Sequence, residues 1–253
     1  MKRFQNATVL IAGMWTIGLT LGVGCSQGPE GPQSVELRTV AAAHSTAEHS
    51  TIVSTWQLTP EEIRAFVDVV QRLPGKQVPE FVGADLPRLT SSRGLEAAIQ
   101  EYRHAIRLGV SPGHQSEMWA KNPALQVAFQ EMGISPMAFA DLMVRISCAW
   151  SSWKIQGELS VSQVRQQLDQ HIARLAASLE QSAPPDLQDQ LESLELLVGR
   201  SELLGLLEQV PRESIKAVAS ARDELRPIMP SDDQTRQLAE DLKTQARILR
   251  VGY

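Results

Sequence analysis

SPMAFADLMVRISCAWSSWKI, residues 135–155, is the stretch that decides the fold. Ser135 is a cap residue and Pro136 suits the first helical turn, where its missing N–H costs nothing. Phe139, Leu142, Met143, Ile146, Trp150 and Trp153 then recur at three-and-four spacing, and Val144, Cys148 and Ile155 make a second apolar stripe. A helix apolar on two sides has no wide face left for water, so it belongs in the middle of a bundle. Gly157 ends it.

Helical signals continue in both directions. Downstream, Ser160 opens a helix whose Val164, Leu168, Ile172, Leu175 and Leu179 form one seam up to Pro184-Pro185. Asp186 starts a return helix, with Leu187, Leu191, Leu194 and Leu197 inward, that is expected to stop at Gly199. The pair reads as a long antiparallel hairpin. Further helices are expected over 202–209, 212–225 and 232–249, the last opened by a capping box of Ser231 and Gln234. Upstream, Asn122-Pro123 starts a short helix that Gly133 ends, and another short helix begins near Pro112. Leu95, Ile99, Tyr102 and Ile106 define a helix over 95–108, and residues 76–93 read as loop. Thr59-Pro60-Glu61-Glu62 supplies a cap, a first-turn proline and two acids at the positive helix end, ahead of Ile63, Phe66, Val67 and Val70. The fold class is all-α: a bundle of roughly 7–9 helices with one long hairpin. Residues 58–68 and 159–169 echo each other in cap, apolar residue, Arg and Asp, which reads as two helices under the same capping rules.

Composition agrees. Of 253 residues, 43% are hydrophobic and only 5% aromatic, and Leu, Ala, Gln and Glu, which keep their rotamer freedom in a helix, dominate. The formal charge of -5 argues against a nucleic-acid partner, which would select a basic surface.

The amino terminus has a different character. Lys2 and Arg3 precede 18 uncharged residues from Ala7 to Gly24, the order of a secretory signal. The run Leu21-Gly22-Val23-Gly24-Cys25 resembles the lipobox of bacterial lipoproteins, with Gly22 where the usual pattern has Leu. The resemblance implies cleavage between Gly24 and Cys25 and acylation of the Cys25 thiol, a palmitate-type membrane anchor. Ser26 after the cysteine, by the same resemblance, permits export to the outer membrane. Two other readings stand beside it: a retained membrane helix, and an ordinary secretory signal cut elsewhere. Residues 26–55 are rich in Gly, Pro, Ser, Thr and Ala without an amphipathic period, so they cannot bury enough apolar area to offset ordering entropy. They are expected to form a disordered tether, reaching roughly 30 Å as a flexible coil. His44 and His49 within it are a weak metal or pH handle set against a solvated linker. The expected organisation is a signal peptide over 1–24, a lipidated linker over 25–55 and a helical domain over 56–253.

Candidate chemistry is sparse. Glu101 and His104 form the Glu-x-x-His spacing of di-iron carboxylate bundles, without the second copy such a centre needs, and His114 with Glu117 is a looser pair. Glu213-Ser214 resembles the Glu-Ser start of the catalytic segment of lytic transglycosylases, where the Glu is a general acid, but the Gly-Leu-Met-Gln type segment does not follow. Cys148 sits on an apolar stripe and reads as packing rather than as a nucleophile. Trp119, Trp150 and Trp153 are candidates to line a ligand groove, with core packing the competing reading for the last two. No metal or cofactor is expected, and no catalytic residue is assigned. The leading expectation is an envelope lipoprotein on the outer face of the inner membrane or in the outer membrane facing the periplasm. It would display a non-enzymatic domain for a protein partner or a structural role. The alternatives are an envelope enzyme acting on cell-wall glycan and a small-ligand carrier.

Overall fold

The computed structural model describes residues 55–89, 94–181, 187–231, 237 and 240–244. Among them the chain is all-α. The helices are α1 (Pro60–Arg72), α2 (Leu95–Gly109), α3 (Pro112–Trp119), α4 (Pro123–Met132), α5 (Pro136–Ile155), α6 (Val161–Gln181), α7 (Leu187–Glu208), α8 (Arg212–Ser220) and the single turn α9 (Arg222–Leu225), with a 3-10 turn at Pro74–Lys76. Residues 237 and 240–244 are also helical, and Leu242 is buried. The remainder of the helix expected over 232–249, including Gln234 of its capping box, lies outside the described residues, as do Gly24, Cys25, His44 and His49.

Four helices begin in the same way. Thr59, Ser111, Asn122 and Ser135 each accept a hydrogen bond from a first-turn N–H, and each is followed by proline. At α1 the arrangement is a full capping box: Glu62 N–H donates to Thr59 Oγ1 and Thr59 N–H donates to Glu62 Oε2. A cap and a proline together satisfy or remove orphan donors at the helix start.

Helix α5 occupies the centre. Every residue from Met143 to Ser152 is buried, and the helix packs against α1, α3, α7 and α8. Phe139 near its start is the hub of an aromatic cluster. Its ring lies 5.4 Å from Phe66 of α1, 5.9 Å from Trp119 of α3 and 5.4 Å from Phe129 of α4. The hairpin of α6 and α7 is antiparallel: Arg165 early in α6 pairs with Glu208 at the end of α7, and Asp169 one turn on meets Ser201. Helix α2 lies against the hairpin, chiefly on α7. The apolar core is a single cluster running from Leu58 to Leu242.

Two expected boundaries are corrected. Gly199 does not end the return helix, because α7 continues through it to Glu208 and absorbs the helix expected over 202–209. A glycine inside a helix costs only about 1 kcal/mol, which burial of every residue from Ser201 to Leu207 outweighs. The helix expected over 212–225 breaks at Ala221, whose backbone leaves the helical region (φ -93°, ψ 16°). The loop over 77–89 passes so close to α2 that a side chain at Gly109 would come within 2.8 Å of the Ala84 nitrogen.

Among the described residues no single helix is long and apolar enough to cross a membrane. Helices α4 and α5 pass that test only together, across a 97° bend.

Removing core volume from α5 should cost far more than trimming its exposed start. Ile146→Ala, at a fully buried position, is expected to destabilise the fold by about 2–5 kcal/mol. Met137→Ala, half exposed, should stay within about 0.5 kcal/mol, both read from urea unfolding.

Candidate functional site

The residues singled out in the sequence do not converge. Glu101 and His104 are exposed on α2, and Glu117 is exposed on α3. The His114 ring is within hydrogen-bond distance, 3.1 Å, of the Val82 carbonyl. No group of three His, Cys, Asp or Glu side chains that could hold a metal ion occurs among the described residues. Trp119 is buried in the aromatic cluster, and its indole N–H donates to the Glu80 carbonyl at 3.1 Å. Trp150 and Trp153 meet edge to face at 5.1 Å, with the Lys154 ammonium 4.3 Å from the Trp153 ring centre. Cys148 is buried on α5, and burial pushes its thiol up to about 12.

Glu213 and Ser214 part company. Glu213 is exposed in the first turn of α8, whereas Ser214 is fully buried. The Ser214 hydroxyl donates to the Trp56 carbonyl at 2.8 Å and accepts the Leu58 N–H at 2.9 Å. It joins the segment before α1 to α8.

Two charged assemblies that the sequence reading passed over hold the buried charges, Arg145 and Glu202. The first centres on Arg145, whose side chain is only 10% exposed in the middle of α5. Its guanidinium donates to Asp141 Oδ2 at 2.8 Å, to Glu62 Oε1 at 3.0 Å and to the Gln57 carbonyl at 2.7 Å. A buried cation is tolerated when its donors find acceptors in this way. Burial by itself would raise the Glu62 carboxyl, but the Thr59 N–H and Arg145 outweigh it and hold the group below the usual carboxylate range.

The second assembly joins α2 to the hairpin. Glu202 of α7, 6% exposed, lies between Arg103 and Arg107, at 3.4 and 2.7 Å. Asp169 of α6 takes the Ser201 hydroxyl at 2.6 Å and lies 3.2 Å from Arg103. Arg165 reaches Glu208 and lies flat on α7 at Gly205, where a Cβ would come within 3.2 Å of its guanidinium carbon. Three arginines face three carboxylates, so the assembly neutralises itself as it ties three helices together.

A third set holds the loop. Gln115, fully buried, accepts from Val82 N–H and donates to the Val82 and Gly109 carbonyls. Glu195 accepts the Leu89 N–H at 3.0 Å. Burial raises the Glu195 carboxyl, with the Leu89 bond opposing. Side chains on helices thus satisfy backbone groups of a segment that makes no ladder of its own.

The missed residues did leave a signal. Arg145 interrupts the apolar run Leu142-Met143-Val144 and Ile146, and Ser201-Glu202 interrupts a leucine-rich segment. Both are polar residues at positions the helical period turns inward.

Comparison with protein-family models, curated proteins and solved structures finds no match.

Three outcomes follow from this geometry. Because the folded Glu62 carboxyl lies below its unfolded value, its stabilising contribution is complete above the ordinary carboxylate range and is lost as pH falls through the folded value. Glu62→Gln should therefore flatten the acid limb of the stability-pH curve while changing the neutral limb least in slope. Glu202→Ala leaves Arg107 to solvent and Arg103 still beside Asp169, and should cost about 1.5–3 kcal/mol in denaturant unfolding. Cys148 should resist iodoacetamide at pH 8 in the folded protein and react once the chain is unfolded, as located by peptide mapping.

Proposed function

We propose that the chain is the precursor of a bacterial envelope lipoprotein. It is cut between Gly24 and Cys25, acylated at Cys25, and displays a non-enzymatic helical domain for a protein partner or a structural role. The observation that carries this reading is the run from Lys2 to Cys25: a basic start, an uncharged apolar stretch and small or apolar residues immediately before a cysteine. A thiol at that position is the acyl acceptor, and small neighbours let a peptidase approach the backbone. The stretch over 26–55, rich in Gly, Pro, Ser, Thr and Ala, then gives the anchor a purpose, since it separates the acylated cysteine from the helical domain.

The helical domain supports the binding or structural part of the reading through the way its polar groups are used. Ser214 spends both its donor and acceptor on the chain between Trp56 and Leu58. Glu202 and Asp169 are engaged by arginines, and the Cys148 thiol stays protonated in its buried site. Glu213, the residue that resembles a general acid, is exposed in the first turn of α8, whereas a general acid of that kind works from an enclosed pocket. The location we assign is the cell envelope, on the outer face of the inner membrane or in the outer membrane facing the periplasm.

Cys25→Ser tests the reading in a bacterial host. The wild-type chain should incorporate labelled palmitate and sediment with membranes, and the variant should lose the label and leave the membrane fraction. Unchanged labelling in Cys25→Ser would overturn the anchor.

A further inference from the structure

The segment that leads into α1 is bonded at each of its residues from Trp56 to Leu58. Here three consecutive residues are tied from three places. The Trp56 indole N–H donates to Gln209 Oε1 at 2.9 Å, just beyond α7. The Trp56 carbonyl and the Leu58 N–H share the buried Ser214 hydroxyl of α8. The Gln57 carbonyl between them accepts from Arg145 at the centre of α5.

These bonds are not independent of α1. Glu62 accepts from Arg145 through Oε1 and from the Thr59 N–H through Oε2. One carboxylate therefore links the guanidinium that holds Gln57 to the capping box that starts the helix. Leu58 and Ile63, both buried, add apolar contact on either side of the cap. Asp141, one turn before Arg145, completes the guanidinium's acceptors.

We propose that residues 56–63 form a clasp, a cooperative unit of the segment before α1 and the first turn of α1 that opens as one from Arg145 of α5 and Ser214 of α8 while the hairpin stays closed. The clasp goes beyond the lipoprotein reading, since every bond it uses joins residues 56–63 to one another or to the helices packed against them.

Amide hydrogen exchange on the full chain tests it with two variants. Ser214→Ala removes the buried hydroxyl. Gln209→Ala removes an exposed partner of Trp56 and leaves the core untouched, so it reports even where Ser214→Ala fails to fold. Ser214→Ala should accelerate exchange by roughly tenfold or more at Gln57, Leu58, Thr59, Glu62 and Ile63 together, with α6 and α7 unchanged. Gln209→Ala should accelerate the same amides by a smaller common factor. Acceleration confined to Leu58 in Ser214→Ala, equal acceleration across α6 and α7, or no response of Thr59, Glu62 and Ile63 to Gln209→Ala would each overturn the clasp. Because Cys25 takes no part in the readout, failure here leaves the acylation test standing, and the reverse holds too.

Discussion

A helix with no solvent face needs neighbours all around it, and that requirement on α5 organises the rest of the structure. Ten consecutive buried residues from Met143 to Ser152 expose backbone and side chains to protein alone, so α1, α3, α7 and α8 must close round them. Small residues make that closure possible: Ala140, Ser147, Ala149, Ser151 and Ser152 are all buried, and the Ser151 hydroxyl returns to the Ser147 carbonyl one turn back. The bulk is concentrated at the two ends, in the Phe139 aromatic hub and in the Trp150–Trp153 pair. Close packing of this kind leaves little tolerance for change in volume.

The same burial explains where the chain enters. Arg145 cannot reach bulk water from the middle of α5, so its donors need acceptors brought to it. Asp141 comes from its own helix, Glu62 from α1 and the Gln57 carbonyl from the segment before α1. An arginine in the core thus fixes the position of α1 and the path of the segment that leads into it. On the opposite side, α7 repeats the theme with Glu202, whose burial beside Ser201 draws Arg103 and Arg107 of α2 onto the hairpin. In both places the arrangement of helices meets the needs of one buried charge as well as those of apolar packing.

Much of this was legible in the sequence wherever the signal is local. Hydroxyl or amide caps followed by proline mark the starts of α1, α4 and α5, and leucine spacing marks the hairpin seam. Where the deciding force is tertiary, local reading fell short. Gly199 looks like a stop, yet the buried segment beyond it holds the helix together. Ala221 looks like helix, and the break there has no Gly or Pro to announce it. Ser214 was noticed for its resemblance to a catalytic segment, but what it bonds is more than 150 residues away in sequence, a pairing no local pattern encodes. The charged assemblies were visible only as interruptions of apolar runs, with partners on other helices. Cys25 is legible only in the sequence, since it lies outside the described residues.

The central physical claim is that α5 is the shared wall of two halves, α1, α3 and α8 on one side and the hairpin with α2 on the other, so that these helices fold as one body. Equilibrium urea unfolding followed in parallel by far-ultraviolet circular dichroism and by tryptophan emission tests it most directly. Helix content is dominated by α5, α6 and α7, whereas Trp56, Trp119, Trp150 and Trp153 report on the segment before α1, the aromatic hub and the end of α5, with Trp15 replaced by Phe so that these four give the signal. The account predicts one transition with coincident midpoints for both signals. A helical transition separated from the tryptophan transition, with the hairpin outlasting the surroundings of α5, would contradict it.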